Sequence, residues 1–197
     1  MIRAKNKTAL LELKNDLDVV ENGAEVLEEK RGILLKEIVS LLDEVDRERS
    51  ALNRTVRDSY DKLIKAMMES GKTRLEKEAK LPVFRGNLHV YEKSFIGILT
   101  PKITYALEEV RYPLDLGSET LFLEVARMAF VDTAARILAL AEIEFKAWRL
   151  AEELKKTVVR VNALQQYYVP EYTAAIKAAE AALEEAEREF LTLIKRA

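Results

Sequence analysis

No cysteine occurs in this sequence, which excludes disulfides and thiolate metal sites. Histidine occurs once, as His89, and Gly86 stands three residues before it, so the Glu-x-x-His pairs of a carboxylate-bridged metal centre cannot form. A Ser–His–acid triad would have to use His89, and no serine sits in a nucleophile turn. His89 therefore reads as a strand or loop residue, and the sequence predicts no catalytic residue, no metal and no cofactor. Long apolar runs are also missing. The most apolar window, from Leu121 to Phe145, contains Glu124, Arg127, Asp132, Arg136, Glu142 and Glu144, so it is amphipathic and inserts into no membrane. A net charge of −2 argues against a nucleic-acid partner. No secretory leader pattern opens the sequence, and a cytoplasmic protein is expected.

Charged residues make up 34% of the 197, with Ala, Glu, Leu, Lys and Arg dominant, which favours long exposed helices over a thick core. Proline and glycine are scarce, and three of the four prolines and three of the six glycines fall within residues 81–117. That clustering divides the chain into an N-terminal helix (1–80), a middle head (81–117) and a C-terminal helix (118–197). Each helix would be about 100 Å long at 1.5 Å per residue, and the molecule is expected to be a rod.

Both helical segments carry a seam of apolar residues in alternating steps of three and four. The first runs Leu10, Leu13, Leu17, Val20, Ala24, Leu27, Arg31, Leu34, Ile38, Leu41 and Val45, and continues after a shift through Leu52, Val56, Tyr60, Leu63 and Met67. The second runs Leu154, Val158, Val161, Gln165, Tyr168 and Tyr172, slips by one residue, and resumes at Ile176, Ala179, Leu183, Ala186, Phe190 and Leu193. Two such seams flanking a head predict a long antiparallel two-helix coiled coil, with a parallel dimer through one seam as the competing arrangement. If the chain ends meet, Leu10 lies near Phe190, Ala24 near Ile176 and Val45 near Leu154. Arg31 is polar within the seam; it either specifies register or contacts a surrounding protein with its stem along the seam.

Pro170 lies deep inside the second helix, where it removes a backbone bond at a cost of about 3 kcal/mol. A bend is expected there, opposite Arg31 and Gly32, with Gly32 letting the backbones stay close. In the middle head, the runs Val83–Phe84, Leu88–Tyr91, Phe95–Leu99 and Ile103–Tyr105, bounded by Gly, Asn, Thr and Pro, predict a short β-hairpin. Ser118 suits an N-cap for the second helix. Gly71-Lys72-Thr73 looks like the end of a phosphate-binding loop, but Ala66 stands where that motif needs glycine, and a helix ending at Gly71 is the plainer reading.

Lys155-Lys156-Thr157, Arg160-Val161-Asn162-Ala163-Leu164 and Pro170 together resemble the D subunit of the V-type and A-type rotary ATPases. Ala141-Glu142 and Glu144 match the approach to that motif. Leu10-Leu11-x-Leu13-Lys14, Lys30-Arg31, and Gly97 with Pro101 match elements near the start and in the head. The sequence departs from the family pattern at Lys5-Asn6-Lys7, at Gln165 and in ending without a basic tail. The resemblance implies a non-catalytic central rotor shaft, peripheral to the membrane. Its partners would be the catalytic A and B subunits, the small F subunit of the rotor, and the funnel-shaped C (d) subunit that joins the shaft to the membrane ring. It would couple ATP hydrolysis or synthesis to ion transport. Candidate interface residues are Lys5, Lys7, Arg31, Arg160, Asn162, Gln165, Pro170, Lys195 and Arg196 on the shaft, and Gly97 and Pro101 in the head. The basic groups near the two chain ends read either as a solvated end or as a tip meeting acidic groups in the catalytic ring. The alternative function is a free-standing coiled-coil adaptor or prefoldin-like chaperone.

Overall fold

A computed structural model describes residues 6–80, 84–110 and 121–196. Helix α1 covers Lys7–Ser70 and α2 covers Lys72–Glu78; strands β1 (Phe84–Phe95) and β2 (Ile98–Val110) follow. Helix α3 is Leu121–Ala163, a π-helical turn takes Leu164–Tyr168, and α4 is Val169–Arg196. The fold is mainly helical with one antiparallel hairpin, as expected. Residues 81–83 and 111–120, with Pro82, Pro113 and the cap expected at Ser118, lie outside the described residues. The chain forms two compact units, one of Met1–Lys36 with Glu152–Ala197 and one of Glu37–Ala151.

In the first unit, Lys7 pairs with Glu187 at 2.9 Å, Lys14 with Glu180 at 2.7 Å and Lys30 with Glu153 at 3.1 Å. Partner numbers fall as α1 advances, so the pairing is antiparallel and within one chain. Ala24, Leu34, Thr157, Val161 and Ile176 form the buried stripe. Fully burying a leucine such as Leu34 contributes about 2 kcal/mol, whereas exposed ion pairs contribute about 0–1 kcal/mol each. The stripe supplies the stability and the ion pairs help fix the alignment.

The second unit is also antiparallel: Glu37 pairs with Lys146 and Arg49 with Glu144, both at 2.6 Å. The Tyr60 and Phe130 rings meet edge to face, with centroids 5.7 Å apart. Its buried residues include Leu41, Val45, Ser59, Ala66, Leu123, Ala126, Ala129, Thr133, Leu140 and Leu150.

Two expectations about the seam need correction. The register is displaced by about two helical turns from the one in which the chain ends meet. Leu10 lies between Lys7 and Lys14, whose partners Glu187 and Glu180 bracket Leu183, not Phe190. Val45 lies between residues bound to Lys146 and Glu144, not near Leu154. In the described residues α4 continues past Glu187, the partner of Lys7, and Phe190, Leu191, Leu193 and Ile194 are exposed.

The seam beyond Val45 also takes different members. Tyr60 and Met67 are exposed, and Ser59 and Ala66 are buried instead, continuing from Val45 and Leu52 in strict heptads. Apolar character misassigns the stripe because Ser59 satisfies its hydroxyl locally. Its Oγ lies 2.9 Å from the Thr55 carbonyl, 3.1 Å from the Ala129 carbonyl and 2.8 Å from Thr133 Oγ1. The Thr133 hydroxyl donates to the Ala129 carbonyl at 2.8 Å. A buried pair of small hydroxyls lets the helices approach closely, and each keeps a carbonyl partner on its own helix while the two also meet across the seam.

Gly71 breaks the first helix at φ 76, and its amide donates to the Met67 carbonyl at 3.0 Å. Helices stand on both sides of it, so the phosphate-loop reading has no strand to start from. Gly32 does not serve close approach: a Cβ there would meet nothing within 4 Å. It is an exposed glycine inside a helix, where its backbone entropy destabilises the fold. Gly32→Ala is therefore expected to raise unfolding free energy by about 0.5–1 kcal/mol in thermal or urea denaturation. A lower stability would mean that Gly32 has a packing role.

Candidate interaction surface

The Lys-Lys-Thr … Arg-Val-Asn-Ala-Leu stretch is divided by its helix into two faces. Thr157 and Val161 are fully buried, and Leu164 is half-buried. Thr157 hides its hydroxyl by donating to the Glu153 carbonyl at 2.9 Å. Lys155, Lys156, Arg160 and Asn162 are exposed on the outer face. The buried half holds α3 against α1, while the outer half is a row of donors open to a partner.

The π-helical turn follows directly. The Val169 amide bonds the Leu164 carbonyl five residues back, so the helix is locally one residue wider. This accounts for the slip in the apolar pattern. Val161 and Ile176 are both buried although their separation is two heptads plus one residue, and the wide turn absorbs the extra residue. It also turns Tyr168 out of the seam that the apolar pattern assigns it to. Tyr167 and Tyr168 are exposed and contact each other edge to face at 5.3 Å.

Pro170 is exposed as the second residue of α4. The π turn Leu164–Tyr168 stands just before it. The facing residues differ from the expectation: Gln165 and Val169 line a cleft of about 390 Å³ with Glu21, Ala24, Glu25, Glu28 and Glu29, not with Gly32. Gln165 thus faces acidic residues of α1. Arg31 is half-buried and pairs with Glu28 on its own helix.

At the chain ends, Lys7 is bound to Glu187, and Lys195 is exposed near the end of α4. Lys5 and the side chain of Arg196 lie outside the described residues. Lys7 is paired with a neighbour that is itself exposed, and Phe190, Leu191, Leu193 and Ile194 are exposed beyond that pair on α4.

The hairpin is longer than the short runs predicted, with strands of 12 and 13 residues. Ile96 and Gly97 form its two-residue turn with φ of 50 and 75, so the run Phe95–Leu99 holds the turn itself. Two successive positive φ values match the twist of a hairpin and explain Gly97. Pro101 faces Glu92. The Ile103 amide donates off the ladder to Glu142, so Pro101, two residues earlier, also turns its nitrogen away from β1 and costs no ladder bond. Gly86 leaves room for the Tyr105 ring, which an added Cβ would overlap.

Several surface residues escape sequence reasoning. Val19, Val26 and Ile33 recur at heptad spacing on α1 yet are half or more exposed, giving that helix a second apolar stripe outside the seam. Their spacing is the available signal, masked by the stronger leucine seam. Ile96 is β-branched, exposed and held at positive φ, which no pattern rule anticipates.

Two outcomes test these assignments. Ile96→Asn is expected to stabilise the hairpin by about 1 kcal/mol, since Asn-Gly suits this turn and a β-branched residue does not. An unchanged or lower melting temperature would show that Ile96 makes a compensating contact. Pro170→Ala is expected to stabilise the chain by less than the roughly 3 kcal/mol of a mid-helix proline, because the wide turn already accommodates it. A gain of that full size would show the π turn to be a strained product of the proline.

Comparison with known proteins agrees over nearly the whole chain. The family profile described as the D subunit of ATP synthase matches residues 9–197. The D subunit of the V-type ATP synthase of Thermotoga neapolitana is 32% identical over 194 residues, covering 98% of this chain and 95% of its own. The D subunit of the A-type ATP synthase of Methanobrevibacter smithii is 31% identical over 191 residues, covering 94% and 82%. The Pyrococcus furiosus A-type protein of the same description is 31% identical over 191 residues, covering 95% and 89%. Fold, motif faces and extent of match lead to one conclusion: the chain belongs to the family of ATP synthase D subunits.

Proposed function

We propose that this chain is the non-catalytic central stalk of a V/A-type ATPase, turning within a ring of catalytic A and B subunits. The observation that carries the reading is the family match over residues 9–197. It is supported by surfaces that a solitary coiled coil has no use for: the second apolar stripe Val19, Val26 and Ile33, and the exposed apolar residues Phe190, Leu191, Leu193 and Ile194.

The mechanism is differential contact. A ring of three equivalent sites around an asymmetric shaft meets a different surface at each site. Every angular position then favours a different conformation at each nucleotide site, so ATP turnover and shaft angle are linked through population shift. A shaft of this kind needs stiffness, which the seam supplies, and unequal faces. On this reading the exposed Lys155, Lys156, Arg160 and Asn162, with Arg31, Gln165 and Pro170, belong to the faces met by other subunits. Gly97 and Pro101 shape the head that meets the funnel-shaped C (d) subunit, and the small F subunit binds the side of the shaft. The complex would be peripheral to the membrane on its cytoplasmic side, and no described helix is long and apolar enough to cross a bilayer.

Reconstitution with A and B subunits tests the reading, with a rotation probe attached to this chain. ATP-dependent stepping in one direction is expected; failure to assemble with A and B overturns it. For the chain ends, neutralising Lys5, Lys7, Lys195 and Arg196 together is expected to weaken assembly about tenfold at low salt and little at high salt, since exposed charges are screened within about 8 Å at physiological ionic strength. Equal assembly at low salt would assign the contact to the exposed apolar residues of α4 alone.

A further inference from the structure

We propose that Glu142 is a latch that seats the β-hairpin on α3, and that the hairpin is an arm able to leave this seat without losing its own ladder. Each oxygen of the Glu142 carboxylate takes a donor from adjacent residues of β2. Lys102 Nζ lies 2.5 Å from Oε1, and the Ile103 amide lies 2.8 Å from Oε2. The Ile103 amide points away from β1, so this bond joins the outer edge of the hairpin to the helix and contributes nothing to the pairing of the strands.

The electrostatics favour the charged carboxylate. Burial pushes the Glu142 carboxyl up, but hydrogen bonds from Lys102 and Ile103 and the fields of Lys102 and Lys146 bring it below the usual value. The hydrogen bond and charge of Glu142 in turn raise Lys102, against a smaller opposing effect of burial.

Besides the latch, the apolar side chains Phe95, Ile98, Ile103 and Tyr105 of the described hairpin are half-buried. Among the hairpin side chains described, only Thr100 is buried, and its hydroxyl turns back to the Lys93 carbonyl within the hairpin. Leu88, Val90, Tyr91 and Leu99 are half or more exposed. Nearer the base, Tyr105 lines an apolar cleft of about 520 Å³ with Leu63, Leu75, Leu123 and Phe130. Near the tip, Lys146 lies 5.1 Å from the centre of the Phe95 ring, one turn along α3 from Glu142, and also binds Glu37 of α1. Among the described residues, the Glu142 latch and the Lys146 contact hold the arm together with these partly buried apolar side chains. Contacts of that kind, part-exposed to water, are weak enough to exchange for a partner's groups. The latch is a property of the chain itself, whatever complex it enters.

The test uses the full chain, whose lack of cysteine makes introduced labels unique. Spin labels at Ser94→Cys and Glu44→Cys report the distance from arm to α1, and amide hydrogen exchange reports the ladder and helices. In Glu142→Ala the distance distribution is expected to broaden and Ile103 to exchange at least about tenfold faster, while ladder and α3 amides keep their protection. Glu142→Gln, which keeps an acceptor but not the charge, is expected to fall between. An unchanged distance distribution in Glu142→Ala overturns the latch. So does loss of ladder or α3 protection together with the broadening, because the residue would then be structural.

Discussion

Everything in this chain depends on a limitation of two-helix packing: two paired helices bury only the stripe where they face each other. A thick core forgives a polar residue at one position by packing around it. A stripe does not, because each buried position meets only a few residues across the seam. That is why Leu34, Leu150, Thr157, Val161 and Ser59 are the largest fully buried side chains in the described structure. It is also why two of them are hydroxyl residues whose groups find a carbonyl one turn back in the same helix. Narrow packing tolerates a polar atom only when the atom brings its own partner.

The same limitation explains the interruptions. An apolar stripe drifts if the spacing between its members fails to fit the helix, and one extra residue between Val161 and Ile176 would carry the rest of α4 off the seam. The π turn restores the phase at the price of one wide turn and the exposure of Tyr167 and Tyr168. Beside those aromatic rings, Gln165 lines a cleft with four glutamates of α1.

The hairpin follows different rules because it has no seam to join. Its strands span 12 and 13 residues, and Glu142 ties β2 to α3 where Ile103 is half-buried. A two-stranded sheet with most of its apolar side chains open to water needs something to lean on. Ile96 at the turn, exposed and at positive φ, carries strain that the strands alone do not require.

The sequence by itself determined the helical class, the presence of two seams, the break at Gly71 and the placement of a hairpin between the helices. All of these follow from local rules: period, glycine and proline placement, and turn chemistry. Its motif matches also led to the family. Tertiary structure alone decided which residues meet. The register lies about two turns from the one in which Leu10 meets Phe190, and it is set by which residues of the two helices fit across the seam. The choice of Ser59 over Tyr60 depends on how closely two backbones approach, which hydrophobicity does not encode. Glu142 looks like one more charge on an amphipathic helix, because a carboxylate that serves a distant strand has no local signature.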